Sequence, residues 1–276
     1  MKIFLTGSKK SKKIIGASSY LVNKYIPNDF EVNYINYGNY NGEIFGAKYN
    51  KIANFRSGGI KNWGKYLANY FKNIKDDLII FSLDDFFLSN QFDVNRFESL
   101  KKIIECDLNI ANAQLSITSQ QRKKKYYVEN SNYFLIPQEN NYSATCQWTL
   151  WRKNSLIDIL ENTTDPWDFE INGSTLLNNS GLKTLISDPP IMFYPTNSAL
   201  SERNKDMISV FGNKEEDINE LIKLDLLKSQ DLILGQFPTV SIPYNGDKNQ
   251  YKNLLCNSAF NKDEIDYIKY IVKYCL

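Results

Sequence analysis

The amino-acid sequence predicts an α/β protein in which helices flank a largely parallel sheet, with a small helical extension at the C-terminus. Three observations predict it. Apolar strands and amphipathic helices alternate along the first hundred residues, the order that builds parallel layers. Leu78-Ile79-Ile80-Phe81 is apolar without alternation, as suits a central strand covered on both faces. A length of 276 residues, 42% of them hydrophobic, suffices to bury one large core. No internal repeat or long linker interrupts the chain, so residues 1–212 are assigned to one α/β domain and 213–276 to the extension.

Ile3-Phe4-Leu5-Thr6-Gly7-Ser8 opens the fold as a short buried strand. A helix is expected from about Ile14 to Tyr25, stopped by Pro27-Asn28-Asp29. Phe30 to Ile35 alternates apolar with polar residues and predicts a second strand. Residues 38–52, with repeated Tyr, Asn and Gly, predict an irregular connection. Trp63, Leu67, Tyr70, Phe71 and Ile74 recur at the helical period. The apolar strand from Leu78 then runs into Ser82-Leu83-Asp84-Asp85, and a helix follows with Phe97, Leu100, Ile103 and Ile104 on one face. Beyond residue 107 the pattern turns β-like, at 108–113, 126–128 and 133–136. Leu156 to Leu160 predicts a short helix, and Ile191 to Tyr194 a late strand after Pro189-Pro190. Two helices are expected in the extension, around 215–228 and 262–275.

Composition removes whole classes of chemistry. There is no histidine, so His-dependent triads, His metal ligands and His proton shuttles are excluded. General base work falls to Asp, Glu, Lys, Tyr or Cys. With 33 basic against 31 acidic residues there is no global field to draw nucleic acid, which is not an expected partner. The local runs Lys9-Lys10-Ser11-Lys12-Lys13 and Arg122-Lys123-Lys124-Lys125 fit solvated faces. The four cysteines are scattered without a CxxC pair, as in a reducing compartment. Met1 to Leu5 is too short for a signal peptide, and no apolar run approaches the roughly 18 residues of a membrane span. A cytoplasmic protein without a transmembrane segment is therefore expected, which leaves room for peripheral membrane contact.

Asp84 and Asp85 lie at the carboxyl end of the most apolar strand, where ligands bind in open α/β sheets. Two carboxylates there can hold a hard divalent cation that bridges substrate phosphates; helix capping or plain solvation is the alternative. Asp76-Asp77 precedes the same strand, at the wrong end of the sheet, and fits a turn. The end of the first strand, Thr6-Gly7-Ser8, should neighbour this site and lie near a nucleotide. Arg56-Ser57-Gly58-Gly59 opens a helix, whose amino end favours anions, or is a plain loop. Further on, Gln147-Trp148-Thr149-Leu150-Trp151-Arg152-Lys153 carries two tryptophans three apart, a spacing that lets them face opposite sides. One could stack on the apolar C–H face of a sugar while the other packs inside, or both could be core. Pro166-Trp167-Asp168-Phe169-Glu170 supplies two carboxylates beside aromatic residues, where burial would raise a pKa toward a useful range for a base. It reads equally as a surface turn with two exposed acids.

The order of these segments resembles a group of bacterial and viral GT-A glycosyltransferases that modify surface polysaccharides. The resemblance rests on an apolar strand ending in Asp84-Asp85, then Gln147 with Trp151-Arg152-Lys153, then Pro166-Trp167 with Phe169-Glu170. Asn62-Trp63-Gly64, leading into a helix ahead of the aspartate strand, also fits, and the likeness covers roughly residues 60–175. It implies a GT-A-like sheet and a metal and donor site of the Asp-x-Asp kind at Asp84 and Asp85, taking Mn²⁺ or Mg²⁺. It also implies that Glu170 stands where inverting members place the base. The usual motif spaces its acids as Asp-x-Asp, whereas Ser82 and Leu83 precede the adjacent pair here, which leaves open which aspartate takes the metal.

The expected activity is transfer of a sugar from a nucleoside-diphosphate donor to a hydroxyl of a glycan acceptor, in surface polysaccharide or glycoconjugate synthesis. Asp84 would meet the donor, with Thr6, Gly7, Ser8 and Arg56, and Asp85 the cation. Glu170 is the base and Asp168 its reserve. Gln147, Trp148 and Trp167 are assigned to the acceptor, and Arg152 either pairs with the Glu170 region or is structural. The alternatives are a nucleotidyltransferase and a non-catalytic glycan-binding protein on a degenerate transferase fold.

Overall fold

The computed structural model describes residues 1–36, 40–51, 60–116, 126–127, 133–136, 142–194, 199–200, 207–210, 213–237 and 240–243, with residues 265 and 269. The chain runs β1 (Lys2–Gly7), α1 (Ile15–Tyr25), β2 (Glu31–Asn36), β3 (Ala47–Lys51), α2 (Trp63–Phe71), β4 (Leu78–Leu83), α3 (Val94–Cys106), β5 (Ile110–Gln114), β6 (Tyr126–Tyr127), β7 (Tyr133–Ile136) and β8 (Thr149–Arg152). It continues through α4 (Lys153–Glu161), α5 (Pro166–Asn179), β9 (Lys183–Ser187), β10 (Ile208–Ser209), α6 (Glu215–Lys223), β11 (Leu232–Phe237) and β12 (Val240–Pro243). The first nine strands form one sheet in the order β3-β2-β1-β4-β8-β5-β9-β7-β6, and β10-β11-β12 form a second.

The main sheet is mostly parallel. β8 runs against β4 and β5, and β7 against β9 and β6, while the remaining strands share one direction. The chain builds outward from β1 to β2 to β3, then crosses to the other side of β1 to lay down β4. Crossing over in this way makes a topological switch point at the carboxyl ends of β1 and β4, the position where open α/β sheets take ligands. Thr6 pairs with Leu83 in the register, so the ends of these two strands are level.

Both faces of the sheet are covered, which explains the unbroken apolar run in β4. Leu78 and Ile80 join Ile3 and Leu5 in one core, packed by Leu21 and Val22 of α1, Phe97 and Leu100 of α3, and Ile218 and Leu221 of α6. Ile79 and Phe81 join Phe4 in the other, packed by Leu67 and Phe71 of α2, Leu156 and Leu160 of α4, and Phe169 of α5. Gly64 explains the Asn-Trp-Gly segment: a Cβ there would sit 2.3 Å from the Leu160 carbonyl oxygen and 2.4 Å from that of Thr163. Only glycine lets α2 approach the end of α4 so closely, and this contact fixes the loop from which α5 starts.

Several expectations are revised. Residues 38–52 include a parallel edge strand, β3, bonded to β2. Ile191 to Tyr194 is a buried connection rather than a strand, its Ile191 N–H bonded to the Leu115 carbonyl at 2.8 Å. The segment 166–170, open to reading as a surface turn, is the start of α5. Asp165 caps it, accepting the N–H groups of Trp167 and Asp168 at 3.0 Å each, with Pro166 at the first helical position. The extension is helical at α6, but Leu232–Phe237 and Val240–Pro243 pair as antiparallel strands, and β10 joins β11 across the 212/213 boundary. Of the second expected helix only Ile265 and Lys269 are described, both helical.

Candidate active site

The site begins with Gly7. A Cβ at this position would lie 1.8 Å from Asp84 Oδ2 and 2.4 Å from its Cγ, so the carboxylate rests directly against the glycine backbone. Ser8 then ends the strand and starts a 3-10 turn, Lys9–Lys13, by a reciprocal cap. Its N–H donates to Ser11 Oγ at 2.9 Å, and Ser11 Oγ donates in turn to Asp84 Oδ1 at 2.9 Å. The Asp84 N–H is bonded to the Thr6 carbonyl at 2.9 Å, which fastens the start of the aspartate pair to β1. The structure thus brings Thr6, Gly7, Ser8 and Asp84 together, and Ser11 joins them without any signal in the sequence beyond its place in a lysine run.

Asp84 is 3% exposed, and its Oδ2 has no hydrogen-bond partner among the described residues, nor does the buried Thr6 hydroxyl. Burial pushes its carboxyl well above the usual range, the charge of Asp85 adds to this, and the Ser11 hydroxyl and its own backbone N–H oppose it. A carboxylate held in this way is costly to leave charged. Asp85 is half-buried, and its carbonyl accepts the Ala199 N–H at 2.8 Å.

Glu170 reaches the same rim from α5. Phe169, its neighbour, is buried between Trp63, Phe81 and Trp151 with ring centroids 5.8 to 6.2 Å away, which anchors the first turn of the helix. Glu170 Oε1 accepts the Cys146 N–H at 2.9 Å and the Thr145 hydroxyl at 3.1 Å. The carbonyl of Cys146 in turn accepts the Leu83 N–H at 2.8 Å, so one residue's backbone ties Glu170 to the end of β4. Burial raises the Glu170 carboxyl, the two donors pull it back, and the charge of Asp85 raises it again. Asp85 therefore acts on both Asp84 and Glu170, and the three acids share one electrostatic environment at the carboxyl rim.

The other candidates lie elsewhere or do other work. Asp168 is held below the usual carboxylate range: burial works against this, but hydrogen bonds from Thr164 and Asn172 outweigh it. It secures the entry to α5 and is the poorer base. Trp148 is 1% and Trp151 0% exposed, and they do face opposite sides of the sheet, each in its own core. Trp148 is thus withdrawn as a sugar platform, since covering both faces leaves neither ring in solvent; its Nε1 donates to the Phe86 carbonyl at 3.1 Å. Gln147 Oε1 accepts the Tyr194 hydroxyl at 3.0 Å. Trp167 is 64% exposed. Arg56 lies outside the described residues.

Arg152 takes the structural one of its two expected roles, for a topological reason. β8 is antiparallel to β4, so Arg152 pairs with Leu78 at the amino end, far from Asp84. Its guanidinium donates to the carbonyls of Ile110 at 2.9 Å and Asp107 at 3.1 Å, and to that of Ile104, closing the end of α3. Asp76, at that same edge, pairs with Lys2 at 2.8 Å. Arg152→Ala is expected to lower stability by about 1–3 kcal/mol through the carbonyls left unpaired, with turnover per folded molecule unchanged. Urea denaturation beside an activity assay checks both.

Among the described residues no three of His, Cys, Asp and Glu gather closely enough to enclose a metal ion, and no helix is long and apolar enough to cross a membrane. The residues present fit a cation that takes only one or two protein carboxylates and completes its shell with phosphate and water, the habit of Mg²⁺. The orphaned Oδ2 of Asp84 beside the Asp85 carboxylate is the observation behind that fit.

Comparison with known proteins adds context. No protein-family model matches the chain. No curated protein matches it in sequence. Similar solved structures include S. aureus TarS 1-349, at 11% identity over 81% of this chain and TM-score 0.44; this chain spans 63% of that one. They also include the galactosyltransferase LgtC with donor and acceptor sugar analogues, at 9% identity, 67% of this chain, 73% of that chain and TM-score 0.36. A third is UTP-bound UGPase from Acinetobacter baumannii, at 11% identity, 67% of this chain, 85% of that chain and TM-score 0.41. Function rests on the residues themselves.

Proposed function

We propose that this chain transfers a sugar from a nucleoside-diphosphate donor to a hydroxyl of a glycan acceptor. The observation that carries the proposal is that Asp84 and Asp85 follow β4 at the sheet's switch point while Glu170 is tied to the end of the same strand through the Cys146 backbone. Asp85 is near enough for its charge to raise the pKa of both other acids. Asp84, fixed by Ser11 and cradled by Gly7, contacts the donor. Asp85, the more exposed of the pair, is the residue to hold Mg²⁺ or Mn²⁺ on the diphosphate. Such a cation would neutralise the charge that develops as the diphosphate leaves. Glu170, oriented through Oε1, takes the acceptor's proton as that hydroxyl attacks the anomeric carbon from the face opposite the diphosphate, so the transfer inverts. Its raised pKa makes it a stronger base than an ordinary glutamate.

A thermal-shift panel of UDP-, GDP-, CMP- and dTDP-sugars, with and without Mn²⁺, tests the donor class. A donor at 100 times its dissociation constant should add about 2.7 kcal/mol to the native state. Asp85→Ala is expected to abolish the Mn²⁺-dependent part of that shift; full retention would remove Asp85 from the metal site.

One observation favours a second reading, a nucleotidyltransferase. The lysine-rich turn after β1 lies beside the site, latched to Asp84 through Ser11, and lysines suit a triphosphate. Release of pyrophosphate from a nucleoside triphosphate and a sugar phosphate would select that reading over glycosyl transfer.

A further inference from the structure

α5 presents an exposed stripe beside the base. Trp167, Ile171 and Thr175 stand at i, i+4 and i+8, so they line one side of the helix over about 12 Å. Trp167 is 64% and Ile171 54% exposed, and Thr175 is exposed as well. Contiguous exposed apolar surface marks contact sites. The stripe starts next to Glu170, which lies three residues after Trp167 and is therefore its neighbour on the helix surface.

The chemistry of this helix narrows the occupant. α5 carries no lysine or arginine, so it lacks the basic face that draws a protein to an anionic membrane or a polyanion. Asp168, kept ionised by its donors, would repel both. The remaining exposed positions are Asn172, Thr175, Leu176 and Asn179, so uncharged polar groups alternate with the apolar Trp167, Ile171 and Leu176 and no charge lies among them. An aromatic plane with hydroxyl and amide groups around it matches a neutral sugar, which has apolar C–H faces and a rim of hydroxyls.

We infer that this stripe of α5 is a docking track for an uncharged acceptor several sugar units long, with Trp167 as the stacking platform nearest Glu170. The inference rests on the glycosyltransferase reading and names its acceptor class: a neutral oligosaccharide rather than a lipid surface or a charged glycan.

Fluorescence quenching tests it directly. The other tryptophans, Trp63, Trp148 and Trp151, are 4%, 1% and 0% exposed, so acrylamide reads Trp167 alone. The wild-type chain is titrated with uncharged hexasaccharides of glucose, mannose and galactose in α and β linkage, and separately with zwitterionic and anionic phospholipid vesicles. At least one hexasaccharide is expected to halve the quenching constant or better, with no effect of vesicles. Trp167→Ala should weaken calorimetric affinity for that hexasaccharide tenfold or more and Trp167→Phe restore most of it, both leaving the donor-induced thermal shift unchanged. Shielding by vesicles alone, no shielding by any hexasaccharide, or unchanged affinity in Trp167→Ala overturns the track. Those failures leave the donor site standing, whereas a wild-type chain that binds no nucleotide sugar defeats the transferase reading itself.

Discussion

Glu170→Gln is expected to lower turnover about 10²- to 10⁴-fold, the usual contribution of a positioned general base, while donor affinity stays within error of wild type. The variant is clean because Gln Oε1 can still accept the Cys146 N–H and the Thr145 hydroxyl that Glu170 accepts now. The pH dependence follows with a definite sign. A base must be ionised to act, so the rate falls as pH drops through the folded-state pKa of Glu170, and burial places that limb above the ordinary glutamate value of 4.5. A raised folded pKa also means that the group's stabilising contribution is present at low pH and lost as pH rises through it. Removing the charge therefore leaves the melting temperature at pH 7–8 unchanged or higher. Single-turnover rates across pH, with a parallel melting curve, measure both. Wild-type turnover in the variant would eliminate Glu170 as the base.

The second large effect is expected from Gly7→Ala. The added methyl carbon would stand 1.8 Å from Asp84 Oδ2 and 2.4 Å from Ser11 Oγ, distances no relaxed structure tolerates. Asp84 is buried against this glycine, so the carboxylate must leave its cradle and its bond to Ser11 must break. Overpacking of this kind costs about 1–3 kcal/mol in stability, and donor binding should fall at least tenfold because the donor-facing acid has moved. Asp84→Gly in the same chain should recover stability without recovering donor binding. Calorimetric titration and denaturation separate the two effects; a Gly7→Ala chain that binds donor normally would mean that Asp84 has no contact with it.

The layered α/β architecture was legible because burial on two faces imposes an unbroken apolar strand, and Leu78 to Phe81 displays it. The helices α1 to α4 were legible from their period, and the Asp84-Asp85 rim from its place after that strand. α5 was hidden by its mixed surface: Trp167 and Ile171 are exposed while Phe169 is buried, so its apolar residues follow no single stripe. The Asp165-Pro166 pair, a cap followed by proline at the first helical position, was the signal that could have found it. Trp148 was assigned to the acceptor because cover on both faces of β8 is not legible in so short a strand, and the two roles of Arg152 stayed open because a strand's direction is invisible in its sequence. Once β8 runs antiparallel, Arg152 is carried to the far edge, and cover on both sheet faces takes Trp148 into the core.

By itself the sequence determined the class of chemistry open to this protein: without histidine, proton transfer and metal binding fall chiefly to carboxylates, and an apolar strand delivers two of them to a rim. The resemblance already pointed to Glu170, with Asp168 in reserve, and only the tertiary structure supplied the contacts that separate the two. Glu170 is 85 residues beyond Asp85, and the Cys146 backbone brings it to the end of β4. Contacts across such separations depend on how strands cross and which helix face packs, and these are set by the whole core at once rather than by any local run of residues.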